Sequence, residues 1–125
     1  MITVYHGTTV NSMENIILNG FDISKIGTGW GTTYGDGIYF SFDPNVANIY
    51  SDNISIILEV KIKYKPYKLL SDYRPTGKNR NKINKLREKI IKEGYTCFIS
   101  PNNEEVILFD IFNIVSIGYY NIIWY

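Results

Sequence analysis

Between Ile54 and Lys65 the chain is clearly strand-like, and in its second half apolar and basic residues alternate. Val60, Ile62 and Tyr64 fall on one side, and Lys61, Lys63 and Lys65 on the other. Successive side chains of a strand point to opposite faces, so this pattern requires a sheet with one face on a core and the other in water. From Asn79 to Glu93 the spacing changes to that of a helix. Ile83, Leu86, Ile90 and Ile91 recur at helical intervals, and Gly94 is a natural stop. A chain that must bury a sheet face and a helix stripe together belongs to a mixed class.

The remaining segments agree. Ile2 to His6 reads as a first strand. A helix follows, with Asn11 or Ser12 as its N-cap, Met13, Ile16 and Ile17 turned inward, and Gly20 at its end. Gly27, Gly29, Gly31, Gly35 and Gly37 make Phe21 to Gly37 a loop whose backbone approaches something closely or moves. Ile38 to Ser41 is a short strand. Asp43-Pro44 opens a second helix through Val46, Ala47 and Tyr50. Pro66 to Lys78 reads as loop, and Tyr95–Ile99, Glu105–Phe109 and Ile114–Tyr120 as strands, with Ser100-Pro101-Asn102-Asn103 turning between the first two. Mostly strands with helices at separate places predict an α+β fold. Neither an internal repeat nor a domain boundary is visible, so residues 1–125 are expected to form one domain.

Composition excludes several classes. At 45% hydrophobic and 20% charged residues the chain is not disordered as a whole. Cys97 is the only cysteine and His6 the only histidine, which excludes an intrachain disulfide and a four-cysteine zinc site and leaves little for any metal, so none is expected. No stretch of about 18 apolar residues exists to span a membrane. Met1 to Thr9 shows no basic region followed by an apolar core, so an intracellular, cytoplasmic protein without a membrane partner is expected.

The net charge is +1, but it is unevenly placed. Of the 13 Lys and Arg, 12 lie between Lys61 and Glu93, a stretch whose only acids are Asp72, Glu88 and Glu93, so it carries +9 and the rest −8. Such asymmetry marks a surface for nucleic acid or another polyanion, or else a solvated strand face and helix face.

Three short segments have the makings of a site. Tyr5-His6-Gly7-Thr8 ends the first strand, and its glycine opens the backbone N–H and C=O to a ligand. Gly35-Asp36-Gly37-Ile38-Tyr39-Phe40, followed by Ala47-Asn48-Ile49-Tyr50, sets two tyrosines eleven residues apart, able to sandwich a flat cationic ring. Asn103-Glu104-Glu105-Val106-Ile107-Leu108-Phe109 places a carboxylate at the mouth of an apolar strand, where it can stabilise developing positive charge.

In this order and spacing the three segments resemble the ADP-ribosyltransferase superfamily. The similarity is to its His-Tyr-Glu, diphtheria-toxin-like branch, which includes the poly(ADP-ribose) polymerases, in a minimal single-domain form. The resemblance runs from Val4 to about Asp110. It implies a split, twisted β-sheet core with NAD⁺, the co-substrate, bound in a cleft. Carried over, His6 would hydrogen-bond the adenine-side ribose, the backbone of Gly7 would hold the nicotinamide carboxamide, and Thr8 would sit near the ribose. Tyr39 and Tyr50 would stack on nicotinamide, with Gly37 and Ala47 also lining the NAD⁺ site. Glu105 would bind the 2′-hydroxyl of the nicotinamide ribose and act as the catalytic carboxylate, with His6 and Tyr39 beside it. Thr28 to Asp36 occupies the position of the loop that covers the dinucleotide.

Polymerase members usually carry a serine where, in a gap-free alignment, Ala47 stands here. The chain is also much shorter than polymerase domains. The resemblance therefore implies mono-ADP-ribosyl transfer, with release of nicotinamide, to a macromolecular acceptor. The acceptor would be a protein, or nucleic acid held by the basic segment. The alternatives are an NAD⁺ or ADP-ribose reader, a basic nucleic-acid-binding module without catalysis, and an RNA 2′-phosphotransferase.

Overall fold

A computed structural model describes residues 1–8, 10–21, 34, 37–44, 56–70 and 80–121. Its elements are β1 (Ile2–Thr8), α1 (Val10–Asn19), β2 (Ile38–Ser41), β3 (Ile56–Ile62), β4 (Pro66–Lys68), α2 (Arg80–Lys92), β5 (Cys97–Ile99), β6 (Glu105–Leu108) and β7 (Ile114–Asn121). Seven strands form one sheet in the order β4-β5-β6-β2-β1-β3-β7. All neighbours are antiparallel except β4 and β5. The class is mixed, as the change of period requires.

The alternation fixes two faces. On one, Val4 of β1, Phe40 of β2, Val60 of β3 and Val106 of β6 share a core with Met13 of α1. On the other, Phe98 of β5 and Ile107 of β6 share a second core with Leu69, Phe109 and Ile83 and Ile90 of α2. The two helices therefore cover opposite faces. Phe98 has no exposed surface, and its ring lies 4.8 Å from that of Phe109.

The unit β4–α2–β5 is a parallel crossover, with Pro66, Tyr67 and Lys68 opposite Cys97, Phe98 and Ile99. The sequence reading placed Pro66–Lys68 in a loop. The proline is tolerated because it opens an edge strand. β3 stops at Ile62, three residues before the expected end, and Lys63–Lys65 turn the chain toward β4. The ammonium of Lys65 donates to the carbonyl of Glu93 at 3.1 Å and lies 4.9 Å from the Tyr95 ring, closing the C-terminal end of α2.

Boundaries differ elsewhere. β1 runs on through Gly7 and Thr8. Helix α1 begins at Val10, so Asn11 and Ser12 lie in its first turn instead of capping it. Met13 is buried, but Ile17 is 42% exposed, because α1 meets the sheet along a narrow line. In α2, Ile83 and Ile90 are buried while Ile91, expected inward, is 44% exposed. Its position is about 100° round the helix from Ile90. Gly20 (φ 77°) and Gly94 (φ 92°) end the two helices in the left-handed conformation that glycine adopts without strain. The helix expected after Asp43-Pro44 falls mainly outside the described residues. Cys97 is buried, and desolvation pushes its thiol up to about 11, so it is no nucleophile at neutral pH.

Candidate active site

Strands β1, β2 and β6 lie side by side, so the three segments singled out in the sequence meet in the sheet. Tyr5 is opposite Ser41, and Ser41 is opposite Glu105. Residues two apart on a strand share a face. Tyr39, one step along β2, therefore shares the face of Ser41 and Glu105, the face covered by α2. His6 and Thr8 have the opposite parity. The His6 ring packs edge-on against Phe40 at 6.0 Å and Phe21 at 5.5 Å, on the side covered by α1.

The two groups are separated by the seam between β1 and β2. There the ladder is reduced to the single pair Tyr5 and Ser41, whereas β1 pairs with β3 at seven positions from Ile2 to Thr8. Past Tyr5, the seam is held by a side chain. His6 Nδ1 lies 3.1 Å from the carbonyl oxygen of Tyr39. A carbonyl only accepts, so Nδ1 carries the proton, and a neutral ring keeps the Nε2 lone pair as an acceptor. Burial holds the His6 pKa below its ordinary 6.5, with the Tyr39 hydrogen bond opposing. The ring is thus neutral at pH 7.

A lowered folded-state pKa means that the unfolded chain binds the proton more readily. This contribution to stability is present above pH 6.5 and is lost as pH falls below that value. Thermal unfolding followed from about pH 7.5 to about pH 5 should show the midpoint falling in that window. His6→Gln should lack that component, and a variant with the same pH profile as wild type would refute the assignment.

Glu105 is half-buried and stands at the start of β6. The preceding turn fixes its backbone. Ser100, fully buried, accepts from Glu105 N–H through Oγ at 2.9 Å and donates its own N–H to Glu105 O at 3.0 Å. Asn102 ties the turn together by accepting from Ser100 Oγ at 2.5 Å and from Glu104 N–H at 3.2 Å. Asn103 takes the left-handed conformation at φ 61°. Glu104 is exposed and accepts from Asn102 Nδ2 at 3.2 Å. The two adjacent glutamates thus differ: one opens a strand beside Ser41, and the other belongs to the turn.

Tyr34 is a site residue that the sequence did not single out. Its N–H donates to the Tyr39 hydroxyl at 2.8 Å, and its ring packs on the second core with Tyr39. Burial raises its hydroxyl pKa, and the negative charges of Glu105 and then Glu104 raise it further. The only signal was its place within the glycine-rich segment.

Gly37 is explained by packing. A Cβ there would lie 2.5 Å from Ile107 Cγ2 and 2.9 Å from the carbonyl oxygen of Leu108. β2 can lie against β6 only without that carbon. Gly37→Ala should cost about 1–3 kcal/mol in urea unfolding, and a variant as stable as wild type would refute the close approach. Ala47, Tyr50 and most of Thr28 to Asp36 lie outside the described residues. Among the described residues no three His, Cys, Asp or Glu side chains converge, and no helix is long and apolar enough to cross a membrane.

Residues 1–61 match the family model of the poly(ADP-ribose) polymerase catalytic domain, over just under half of the 125 residues. The match supports membership of the ADP-ribosyltransferase superfamily. No curated protein matches the chain. The matched span contains β1, α1, β2 and nearly all of β3, hence His6, Gly7, Thr8, Gly37 and Tyr39. It ends before β6. Glu105, outside the matched span, is brought beside β2 by the antiparallel register of β6 with β2.

Proposed function

We propose that this chain is an NAD⁺-dependent mono-ADP-ribosyltransferase that moves ADP-ribose from NAD⁺ to a macromolecular acceptor. The observation that carries the reading is the register Ser41–Glu105. It sets a half-buried carboxylate one strand from Tyr39, on the same face, beside the β1–β2 seam.

In the reaction, the bond between ribose C1′ and the nicotinamide nitrogen breaks, and its electron pair leaves with neutral nicotinamide. The ribose develops oxocarbenium character, which the Glu105 carboxylate stabilises. The acceptor nucleophile attacks C1′ and gives up its proton, with Glu105 as the base. Nicotinamide leaves without needing a proton, so one carboxylate suffices. Tyr39 stacks on the nicotinamide ring, with Tyr50 on its other side, and the Tyr34 N–H holds the Tyr39 hydroxyl in place. Gly7 holds the carboxamide through its backbone. His6, as the neutral Nδ1–H tautomer, accepts a hydroxyl of the adenine-side ribose at Nε2, with Thr8 nearby. On this reading the dinucleotide lies at the β1–β2 seam, where the ladder is reduced to the pair Tyr5 and Ser41.

The test is nicotinamide release from NAD⁺ by the purified protein, with and without a mixed protein and nucleic-acid extract and with labelled ADP-ribose followed onto macromolecules. Release with transfer of label supports the reading. NAD⁺ binding without release would overturn the reaction and leave a reader.

A further inference from the structure

The stretch from Lys61 to Lys92 is one basic block in the sequence, but the fold divides it. Lys61 belongs to β3, four places from β5 in the strand order, and Lys65 is occupied at the end of α2. Arg87 turns inward. Its guanidinium donates to the carbonyl of Phe109 at 3.2 Å and lies 5.7 Å from the Phe109 ring. Lys63 and Lys68 are exposed away from the helix, Arg74 and Lys78 lie outside the described residues, and α2 itself carries a row of lysines. Lys82, Lys85, Lys89 and Lys92 recur every three or four residues, and all are exposed. That spacing keeps them within one stripe roughly 15 Å long. The stripe lies well round the helix from the buried Ile83 and Ile90. Glu88 and Ile91 are the exposed residues beside it.

The crossover sets the direction of the row. α2 runs antiparallel to β5 and therefore alongside β6 in the same sense. Its last turns meet the start of β5, where Tyr95 N–H donates to Ile90 O, and Arg87 reaches the residue after β6. Its first turn accordingly lies toward the Ser100–Glu105 end of the sheet. Lys82 is at that end of the row and Lys92 at the other. The helix also covers the same face that carries Glu105 and Tyr39.

We infer that the Lys82–Lys92 row of α2 binds a nucleic-acid strand by its phosphates and leads it to the Glu105 end of the sheet, so that nucleic acid is the acceptor. This rests on the transferase reading above. The chemistry of the surface selects a polynucleotide over an acidic protein. Protein interfaces close on an apolar, aromatic centre, whereas the row offers ammonium groups, and among the described residues of α2 Ile91 is the large apolar side chain that is exposed. Surfaces for nucleic acid are polar and strongly positive. Lysines at regular intervals read phosphate charge without reading sequence.

The experiment measures binding of a fluorescent single-stranded oligonucleotide of about 20 nucleotides by fluorescence anisotropy, without NAD⁺, from about 50 to about 200 mM salt. The wild-type protein should lose affinity steeply with salt. Lys85→Glu/Lys89→Glu/Lys92→Glu should bind more than about tenfold more weakly, with a logarithmic salt slope lower by about 2, since each phosphate contact on a single strand contributes roughly 0.7. Lys85→Gln/Lys89→Gln/Lys92→Gln, which changes less at the surface, should weaken binding in the same direction. Circular dichroism confirms that each is folded. Salt-independent binding, unchanged affinity in a folded variant, or tighter binding of polyglutamate than of the oligonucleotide would each overturn the inference. Because the assay needs no turnover, its failure is distinct from a failure to release nicotinamide.

Discussion

Glu105→Gln should lower nicotinamide release by about 10²- to 10³-fold, the range typical for removing one group aimed at transition-state charge. NAD⁺ affinity should stay within about threefold, because glutamine keeps the shape and the hydrogen-bonding oxygen and loses only the negative charge. That charge matters most when the ribose becomes positive, and little in the ground state. The backbone of Glu105 is held by Ser100 on both its N–H and its carbonyl, so the substitution leaves the frame intact. Glu104→Gln is the paired control. Glu104 is exposed and bound to Asn102 within the turn, so its loss should change release by no more than about twofold. Equal losses in release and in NAD⁺ affinity for Glu105→Gln, or a larger effect at Glu104, would refute the assignment.

Phe98→Ala should cost about 3–5 kcal/mol of stability, a large share of the 5–15 kcal/mol typical of a domain. Phe98 has no exposed surface. It stands between Tyr67 of β4 and Ile107 of β6 in register, with the Phe109 ring 4.8 Å away edge-on. Truncation leaves a hole under α2 that backbone on both sides cannot close. Urea unfolding measures the loss, and a value under about 1 kcal/mol would show that the second core closes up without it. The functional consequence is specific, since this core joins α2 and its lysine row to the face carrying Glu105 and Tyr39.

The resemblance to ADP-ribosyltransferases was legible because His6-Gly7-Thr8, Gly37-Ile38-Tyr39-Phe40 and the Glu105 strand keep their order and local context. Each is a local pattern, a strand end or a strand start, and local patterns survive in one dimension. Tyr34 was not legible. Its N–H meets the Tyr39 hydroxyl five residues on, at the end of a glycine-rich stretch that has no periodicity to read. The strand β4 was missed for a related reason. Proline and a span of three residues argue against a strand until β5, brought back by α2, supplies the partner.

The period of every element but β4, the mixed class, the carboxylate at the mouth of an apolar strand, and the concentration of positive charge before Gly94 are all written in the order of residues. These follow from side-chain alternation and helical spacing, which depend only on neighbours along the chain. Which strands lie together, the opposite faces of His6 and Glu105, and the separation of Lys61 on β3 from the lysines of α2 come from tertiary structure alone. Strand order and register depend on which distant apolar faces pack, and a shift of one residue would turn every side chain of a strand to the other face.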